Sequence, residues 1–395
     1  MKNAMESDTT STKLKPDDGV TALSPYESLL TPNFREPWPA RAETAERKLL
    51  RQGRLLKRSH WDAWGPSDIA YGGPVFDRNK MTDSIIERMT DADAVGFSWA
   101  IVQNGLLVDA GGQGDARTPA EPGPVRDMSF NTRMVSASLA KPVCALTIMK
   151  LIEDGELSLS DPAYPIIADA FPAAHTSMSE IEIRHLLTHS SGFNGPGRLS
   201  QFSNALQQPL AATPGAMERY ENWNYWFLAY VVEAVTGSPY VDVATETVLT
   251  PMTIATMTRE VDNNEPCLYY ANNSVTDGVT WGDFNATAIG AYGWFASAID
   301  WAKLMAYFRY DQVLSKASRL TMLNASDTYF GFRHWNGQPR GSYYGHGGDF
   351  NSGGRWFHGG MMGFPDGIDA VLLTNSDDVS NPANVLIAAY HDAYD

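Results

Sequence analysis

Ser138 and Lys141 are the two residues of this sequence whose types and spacing best suit nucleophilic catalysis. They stand three positions apart in "SASLAKPVCALTIMKLIEDG", residues 136–155, so on a helix their side chains share one face within hydrogen-bond reach. A serine hydroxyl is a weak nucleophile, but a partly desolvated amine loses its preference for the charged form and can take the hydroxyl proton. Backbone N–H groups at the start of such a helix also point toward an oxyanion forming at the serine. The pair therefore predicts an activated serine nucleophile.

The competing interpretation of this pair is a helix-capping serine followed by a lysine that reaches solvent. A Ser-x-x-Lys pattern is expected about once by chance in a chain of this length, so the pattern alone decides nothing. The run from Val143 to Ile152 is apolar on nearly every side, which predicts a central, buried helix. Because Lys141 has little water to reach from such a helix, the catalytic interpretation is favoured.

Tyr220 and Asn222 come directly before a second strongly apolar run, in "RYENWNYWFLAYVVEAVTG" at 219–237. A tyrosine with a pKa of about 10 is a poor base unless a cation lies beside it, and Lys141 could be that cation. The alternative is ordinary aromatic core with Asn222 as an N-cap. Taken in isolation, this segment favours the alternative.

His346, Gly347 and Gly348 open a candidate strand in "GHGGDFNSGG", residues 345–354. Glycines in a strand mark a close approach of backbone, as when a substrate lies along a strand edge, and the histidine offers a donor that is near neutral at working pH. A glycine-rich turn with a structural histidine is the alternative. This group is also weak alone.

In the order Ser-x-x-Lys, Tyr-x-Asn and His-x-Gly, the three groups resemble the active-site signature of the serine β-lactamase and penicillin-binding-protein superfamily. The similarity is to its class C-like branch, which holds family VIII-type carboxylesterases, D-aminopeptidases, DD-peptidases and β-lactamases. Segments such as "IEIRHLLTHSSGF" and "AYGWFASAIDWAKLM" are similar to that branch in their residue pattern, and the resemblance covers roughly residues 95–392. It implies that Ser138 is the acylated nucleophile, that Lys141 and Tyr220 share general acid and base duty, and that Asn222 holds Lys141 and the acyl side of the substrate.

The resemblance also implies roles for the third motif. His346, Gly347 and Gly348 would line the edge strand, and the oxyanion hole would use the backbone N–H groups of Ser138 and Asp349. Many β-lactamases of the superfamily have Lys-Thr-Gly here, so His346 removes a fixed cation and Asp349 adds a negative side chain near the anion site. Both departures disfavour anionic substrates and favour esterase or peptidase chemistry.

The sequence thus predicts a serine hydrolase that acts through an acyl-enzyme on a small, fairly hydrophobic ester or amide, without metal or cofactor. Trp223, Tyr225 and Trp226 are the predicted aromatic lining of the pocket. Carboxylesterase ranks first, D-amino-acid amidase or D-peptidase second and β-lactamase third, while acyl transfer would use the same residues. A catalytically silent scaffold is the alternative outside enzymes. His185 and His189, spaced i, i+4 in "HLLTH", are interpreted as structural because no HExxH or third ligand accompanies them.

The elements that must position these groups come from both ends of the chain. "VGFSWAIVQNGLLVDAGG" alternates and breaks at Asn104-Gly105, a hairpin signal, and "YYGHGG", "GGRWFHGG" and "GIDAVLLTN" are strand-like near the C-terminus. The elements predicted between and after them are helices at 138–154, 222–236, 239–249, near 297–309 and from Pro382. Ser297, with Asp300 three residues later, is predicted to open the helix near 297–309 as a capping pair. Ser98, in the near miss "GFSWA" for a nucleophile elbow, falls in mid-strand and is assigned to the core.

The predicted fold class is α+β and β-lactamase/transpeptidase-like, with an antiparallel sheet flanked by N- and C-terminal helices and an all-helical region inserted. The predicted domains are an N-terminal extension, partly irregular, over 1–80 and the hydrolase over 81–395. Within the hydrolase, a helical part at about 138–290 separates sheet parts 81–137 and 291–395. The basic stretch "ERKLLRQGRLLKRSH" at 46–60 favours a docked helix over a membrane-bound one.

Composition narrows the remaining classes. The chain has 395 residues, 43% of them apolar, which indicates a globular protein, and its net charge of -16 argues against a nucleic-acid partner. Cys144 lies in an apolar helix, so no disulfide with Cys267 is predicted. The polar N-terminus shows no signal peptide or membrane span, which favours the cytoplasm, or the periplasm if a leader had been removed. A small molecule is the expected partner, and the sequence does not decide whether the chain forms a homo-oligomer.

Overall fold

The computed structural model describes residues 75–193, 195, 197–262, 266–324 and 330–394 of the chain. The basic segment at 46–60 and the predicted N-terminal extension up to residue 74 lie outside the described residues. The predicted domain boundaries stay a prediction.

Strands from both ends of the chain form one antiparallel sheet. The strands are β1 (Gly96–Gln103), β2 (Leu106–Arg117), β3 (Arg126–Asp127), β4 (Met134–Val135), β5 (Phe295–Ala296), β6 (Arg333–Gln338), β7 (Gly341–Ser352), β8 (Arg355–Gly363) and β9 (Ile368–Thr374). Within the described residues the main sheet has the order β3-β2-β1-β9-β8-β7-β6, and β4 pairs with β5 separately. Strands that are far apart in the sequence meet where β1 lies beside β9, with Ala100 opposite Val371.

Helices occupy both faces of the sheet and the middle of the sequence. They are α1 (Arg78–Asp91), α2 (Ala140–Glu153), α3 (Ala163–Ile167), α4 (Ile183–Leu187), α5 (Phe202–Leu206), α6 (Asn222–Thr236), α7 (Tyr240–Ala244), α8 (Ala298–Arg309), α9 (Lys316–Asn324) and α10 (Pro382–Asp392). In the described residues between β4 and β5, regular structure is helical apart from isolated β-bridges. This arrangement confirms the predicted fold class.

One face of the sheet, here called the outer face, is covered by α1 and α10. Met81 and Ile85 on α1 and Leu386 on α10 are fully buried in one hydrophobic cluster with Phe97 and Ile101 of β1. Because α1 and α10 each present one apolar stripe, packing both on β1 and β9 buries the two stripes together. The helices predicted at the ends of the domain therefore close its outer layer.

The inner face carries α8, which is fixed at both of its ends. Ser297 caps its start, since the Ser297 Oγ accepts from the Asp300 N–H and the Asp300 carboxylate accepts from the Ser297 N–H at 2.9 Å, which confirms the predicted capping pair. At the other end Arg309 donates to the buried carboxylate of Asp369 on β9 at 2.7 Å. Removing either partner of this ion pair would leave a buried charge without compensation, so the pair fixes where α8 lies on the sheet.

Two almost wholly buried helices, α2 and α6, form the centre of the helical region. The predicted bounds 222–236 are those of α6, which ends at Gly237 with a φ of 69°, a left-handed conformation that glycine adopts without steric penalty. The predicted helix at 138–154 begins as a short 3₁₀ turn, Ala137–Leu139, and continues as α2. This difference matters because the serine of the Ser-x-x-Lys pair lies in the turn and the lysine in the helix.

The structure also agrees with the predictions for the hairpin turn, for Ser98 and for the two cysteines. Asn104 and Gly105 have φ values of 52° and 77°, as a type I′ hairpin requires, and Ser98 is fully buried in β1. Cys144 and Cys267 are both free and buried. Over the part of the chain that the structure describes, no helix has the length and apolarity needed to span a bilayer.

Candidate active site

Ser136 anchors the turn that carries Ser138 through hydrogen bonds to the segment before β5. The Ser136 N–H donates to the Trp294 carbonyl at 2.6 Å, and the Ser136 Oγ accepts from the Gly293 N–H at 3.2 Å. Ala137 has a φ of 45°, a left-handed conformation that costs a non-glycine residue roughly 1–3 kcal/mol. The segment before β5 therefore holds in place a strained residue next to the candidate nucleophile.

Lys141 is fully buried and its amine contacts Ser138. The Nζ–Oγ distance is 3.0 Å, and Nζ also donates to the Asn222 Oδ1 at 2.8 Å and to the Ala291 carbonyl at 3.0 Å. Burial lowers the pKa of Lys141 from 10.5 to about 7. A neutral amine has two N–H groups and one lone pair, which fits two acceptors and one hydroxyl. The site therefore suits an amine that accepts the Ser138 proton, and the solvent-reaching alternative for Lys141 is wrong.

Tyr220 lies over the same amine. The Lys141 Nζ is 4.8 Å from the centre of the Tyr220 ring, and Tyr220, which is 39% exposed, lines one cavity together with Ser138. The structure thus brings the predicted hydroxyl, amine and phenol ring together. Their catalytic roles stay a prediction.

His189 holds the segment that carries Tyr220. Its carbonyl accepts from the Arg219 N–H at 2.7 Å and its Nδ1 accepts from the Glu221 N–H at 3.2 Å, so it is bonded to both neighbours of Tyr220. The His189 and Tyr220 rings also pack with centroids 4.3 Å apart. Burial, with the charge of Lys141, lowers the pKa of His189 well below its usual value, so the ring is neutral. Sequence reasoning gave His189 no part in the site, because its only visible signal was the rejected pairing with His185.

That pairing does not exist in the structure. Helix α4 ends at Leu187, and His189 has a φ of 56°, so His185 and His189 do not share a helical face. Across the described ranges, no cluster of three or more His, Cys, Asp or Glu side chains could hold a metal ion.

Asn222 contacts Lys141, whereas the neighbouring Trp223 packs in the core. Asn222 is the first residue of α6, and its side chain accepts from Lys141 while Glu221 occupies the N-cap position, so the capping alternative for Asn222 is wrong. Trp223 is 4% exposed, and its Nε1 donates to the Gly195 carbonyl at 2.6 Å. Its ring packs among Phe193, Phe202 and Trp226.

His346 begins the part of β7 that borders the cavity. Its Nδ1 donates to the Gly347 carbonyl at 2.6 Å, which leaves a lone pair on the Nε2 of the neutral ring. Burial and the charge of Lys141 lower the pKa of His346 to about 3. It therefore supplies no positive charge, and the donor that the sequence suggested is already committed to the backbone.

Gly348 is where β7 meets the Ser138 turn. A Cβ at Gly348 would lie 2.7 Å from the Ser136 carbonyl oxygen and 3.2 Å from the Leu139 nitrogen, whereas a Cβ at Gly347 would meet nothing nearer than 3.8 Å. Since β6 lies opposite only Gly341 to Gly345 of β7, Gly347, Gly348 and Asp349 extend beyond its end. Only glycine at position 348 lets this part of β7 approach the nucleophile so closely.

We expect Gly348→Ala to lower the unfolding free energy by about 1–3 kcal/mol, because backbone atoms must move to admit the new methyl group. Gly347→Ala is the matched variant, and it should change the unfolding free energy by less than about 1 kcal/mol. Chemical denaturation of both variants measures the difference. Equal losses in the two variants would contradict the close contact at Gly348.

The cavity has a volume of about 370 Å³. Of the predicted site residues, Ser138, Tyr220, His346, Gly347 and Asp349 line it, and the other lining residues are Arg333, Trp335, Gly359 and the segment Ser380–Ala383. Trp223, Tyr225 and Trp226 do not line it, so the predicted aromatic pocket is wrong in its residues. These rings are at most 4% exposed because α6 is buried on nearly every side, and the cavity tryptophan is Trp335 from β6.

Comparison with known proteins agrees with this architecture. The family model described as Beta-lactamase matches residues 81–392. The putative penicillin-binding protein PbpX of Bacillus subtilis (strain 168) is 30% identical over 175 residues, which are 42% of this chain and 40% of that protein. Protein flp of Staphylococcus aureus (strain MRSA252) is 27% identical over 207 residues, 48% of this chain and 40% of that protein. The matched part thus spans about 40% of the length of these relatives.

Solved structures give the same fold. The octameric penicillin-binding protein homologue from Pyrococcus abyssi aligns with a TM-score of 0.65 at 22% identity, over 79% of this chain and 76% of that one. A D-stereospecific amidohydrolase from Streptomyces sp. aligns with a TM-score of 0.63 at 19% identity, over 80% of this chain and 98% of that one. At these identities the similarity establishes the fold, which is that of β-lactamase-like and transpeptidase-like proteins.

Proposed function

We propose that this chain, since it belongs to the β-lactamase family, is a serine hydrolase that cleaves small, fairly hydrophobic carboxylic esters through an acyl-enzyme on Ser138. The observation that carries the proposal is the buried amine of Lys141, which contacts the Ser138 hydroxyl at 3.0 Å and has a pKa of about 7. A scaffold protein gains nothing from burying a lysine against a cavity serine, because that burial is unfavourable for folding at neutral pH.

Acylation begins when the Ser138 Oγ attacks the ester carbonyl and its proton passes to the Lys141 Nζ. The new Oγ–C bond converts the carbonyl into a tetrahedral oxyanion, which the backbone N–H groups of Ser138 and Asp349 stabilise. The oxyanion then collapses and the C–O bond to the alcohol breaks. The leaving oxygen takes a proton through Tyr220 and Lys141, which gives the free alcohol and the acyl-Ser138 ester.

Deacylation repeats these steps with water as the nucleophile. Water loses a proton to the Lys141 amine as it attacks the acyl carbon. The Oγ–C bond of the tetrahedral intermediate then breaks, the Ser138 Oγ takes that proton back, and the carboxylic acid is released. An alcohol or amine in place of water would give acyl transfer with the same residues. The proposal commits to water.

The preference for a neutral substrate is supported by the apolar part of the cavity lining, which lies beside polar groups such as Ser138 and Asn381. Tyr220, Trp335, Pro382 and Ala383 give it apolar surface, and the neutral His346 supplies no cation. A hydrophobic acyl group or alcohol would bury against these side chains. Carboxylesterase therefore stays the first candidate.

Arg333 favours a second candidate, hydrolysis of an amide or D-peptide that bears a carboxylate. It lines the cavity and lies opposite Gly345, one residue before His346, so it returns to the site the positive charge that His346 lacks. A guanidinium binds carboxylates with paired hydrogen bonds. The sequence argument against anionic substrates did not include this residue, which weakens the case against a D-peptidase or β-lactamase.

A substrate comparison tests the ranking. We expect kcat/KM for a short p-nitrophenyl ester to exceed that for a D-alanyl p-nitroanilide by at least about 10-fold, because the neutral ester has the better leaving group and needs no charged partner. A penicillin should acylate Ser138 more slowly than the ester does. If only the anilide were turned over, the D-peptidase candidate would replace the esterase.

Intact mass spectrometry distinguishes an enzyme from a catalytically silent scaffold. After exposure to a fluorophosphonate, a catalytic chain carries one adduct that maps to Ser138, whereas a silent scaffold gains no mass. This experiment needs no knowledge of the physiological substrate.

A further inference from the structure

His358 joins two carboxylates at the margin of the cavity. It lies on β8 directly opposite Asp349 of β7, and its Nδ1 is 2.6 Å from the Asp349 Oδ1. Its Nε2 is 3.0 Å from the Oδ1 of Asp377, which follows β9. The His358 side chain is only 3% exposed, and the Trp356 ring stacks on it with centroids 5.1 Å apart. The imidazole is therefore fixed on both edges and on one face.

The hydrogen bonds of this cluster favour a charged imidazole. Both ring nitrogens face carboxylate oxygens, and imidazolium, with two N–H groups, can donate to both of them. Burial by itself would lower the pKa of His358, but the hydrogen bonds and charges of Asp349 and Asp377 outweigh it and raise the pKa. Asp349 from β7 and Asp377 from beyond β9 are the charged groups that face the ring. The imidazolium therefore lies between two carboxylates, and the three groups together carry one net negative charge.

Asp349 lies where a negative charge would harm the proposed reaction. It lines the same cavity as Ser138, and its backbone N–H is one of the two proposed oxyanion donors. Its side chain is 57% exposed. A carboxylate that is free to turn toward the developing oxyanion would repel it and so raise the barrier to acylation.

We infer that His358 is a positioning residue, which holds the Asp349 carboxylate away from the oxyanion hole and offsets part of its charge while the backbone N–H of residue 349 serves the transition state. This inference rests on the proposed function. It explains how an aspartate can stand at a position where a negative side chain opposes the chemistry.

The test is a charge-rescue pair. His358→Gln keeps a hydrogen-bonding side chain but removes the charge, so kcat for a neutral p-nitrophenyl ester should fall by about 10-fold or more with little change in KM. Adding Asp349→Asn removes the uncompensated carboxylate, and the double variant should be at least about 5-fold faster than His358→Gln. A side chain needed only for folding would not be rescued by the removal of its partner's charge.

Controls separate this role from misfolding. Because His358 is buried, His358→Asn is made in parallel, and circular dichroism establishes that each variant is folded. His175→Gln is the matched histidine variant, since His175 is exposed and its side chain bonds to Ser177 within its own turn, and it should retain full turnover. Wild-type kcat in folded His358→Gln, or no gain in the double variant, would overturn the role of His358.

The rate of Ser138 labelling by a fluorophosphonate distinguishes failure of this inference from failure of the proposed function. A wild-type chain that forms no adduct refutes the proposed function and this role with it. A wild-type chain that labels at the same rate as His358→Gln refutes the role alone. Slower labelling in His358→Gln and faster labelling in the double variant support both.

Discussion

Replacing Ser138 with alanine should abolish the fluorophosphonate adduct and lower kcat/KM for p-nitrophenyl esters by about 10⁴-fold or more. The hydroxyl is the only atom that the substitution removes from the contact with Lys141, so the buried amine, the cavity and the fold should persist. Intact mass spectrometry and steady-state kinetics measure the two effects. Residual turnover near the wild-type rate would mean that another group is the nucleophile.

Ser98→Ala is the matched control for that experiment. Ser98 belongs to the segment that nearly matches a nucleophile elbow, but it is fully buried in β1 and its Oγ has no hydrogen-bond partner among the described residues. Removing a buried, unsatisfied hydroxyl is close to neutral or slightly stabilising, so this variant should keep its adduct and its turnover. Loss of labelling in Ser98→Ala instead would reverse the assignment of the two serines.

The parts of this fold that follow local rules could be predicted from the sequence. Continuous apolar runs predicted α2 and α6, Asn104-Gly105 predicted the hairpin, and capping residues predicted the start of α8. The motifs of Ser138 and Tyr220 could be found for a related reason, since each stands just before one of these helices. The third motif differs, because β7 begins at Gly341 and His346 lies inside the strand, whereas the sequence predicts that the strand opens at His346. Spacing of three residues is enough to bring Ser138 and Lys141 together, because only one turn of helix separates them.

The parts that depend on distant strands could not be predicted in this way. Trp335 and Arg333 reach the cavity only because β6 pairs with β7 at a particular register, and no local pattern states that register. The same holds for His358, which meets Asp349 across β7 and β8 and Asp377 beyond β9. Charge counted along the sequence shows Asp349 as an isolated acid, whereas the fold pairs it with a histidine.

Aromatic side chains next to a motif were a misleading guide for the opposite reason. A helix that is apolar all round is buried all round, so the tryptophans that follow Asn222 had no exposed face from which to line a pocket. The same all-round apolar pattern that correctly predicted a buried Lys141 on α2 therefore also predicts a buried Trp223 on α6. Applying it to both helices would have excluded the predicted aromatic pocket.

Replacing Lys141 with methionine should lower kcat by about 10³-fold, because methionine has a similar length but its thioether is too weak a base to accept the Ser138 proton. In the wild type, kcat/KM should rise as the pH is raised through about 7, where the buried amine loses its proton. Lys150→Met is the matched control, since Lys150 lies on the same helix, is partly exposed and pairs with Asp154 on the surface. It should keep the wild-type rate and pH profile.

The same substitution should also change how stability depends on pH. Lys141 has a pKa of about 7 in the folded chain and 10.5 as its ordinary value, so between these limits the unfolded chain binds the additional proton. The unfolding free energy of the wild type must then increase with pH in this window, while Lys141→Met lacks that contribution. From about pH 7 to pH 9 the wild type should gain about 2 kcal/mol relative to Lys141→Met. Urea denaturation at the two pH values measures this gain, and a difference that is constant with pH would mean that the buried amine keeps its proton and cannot be the base.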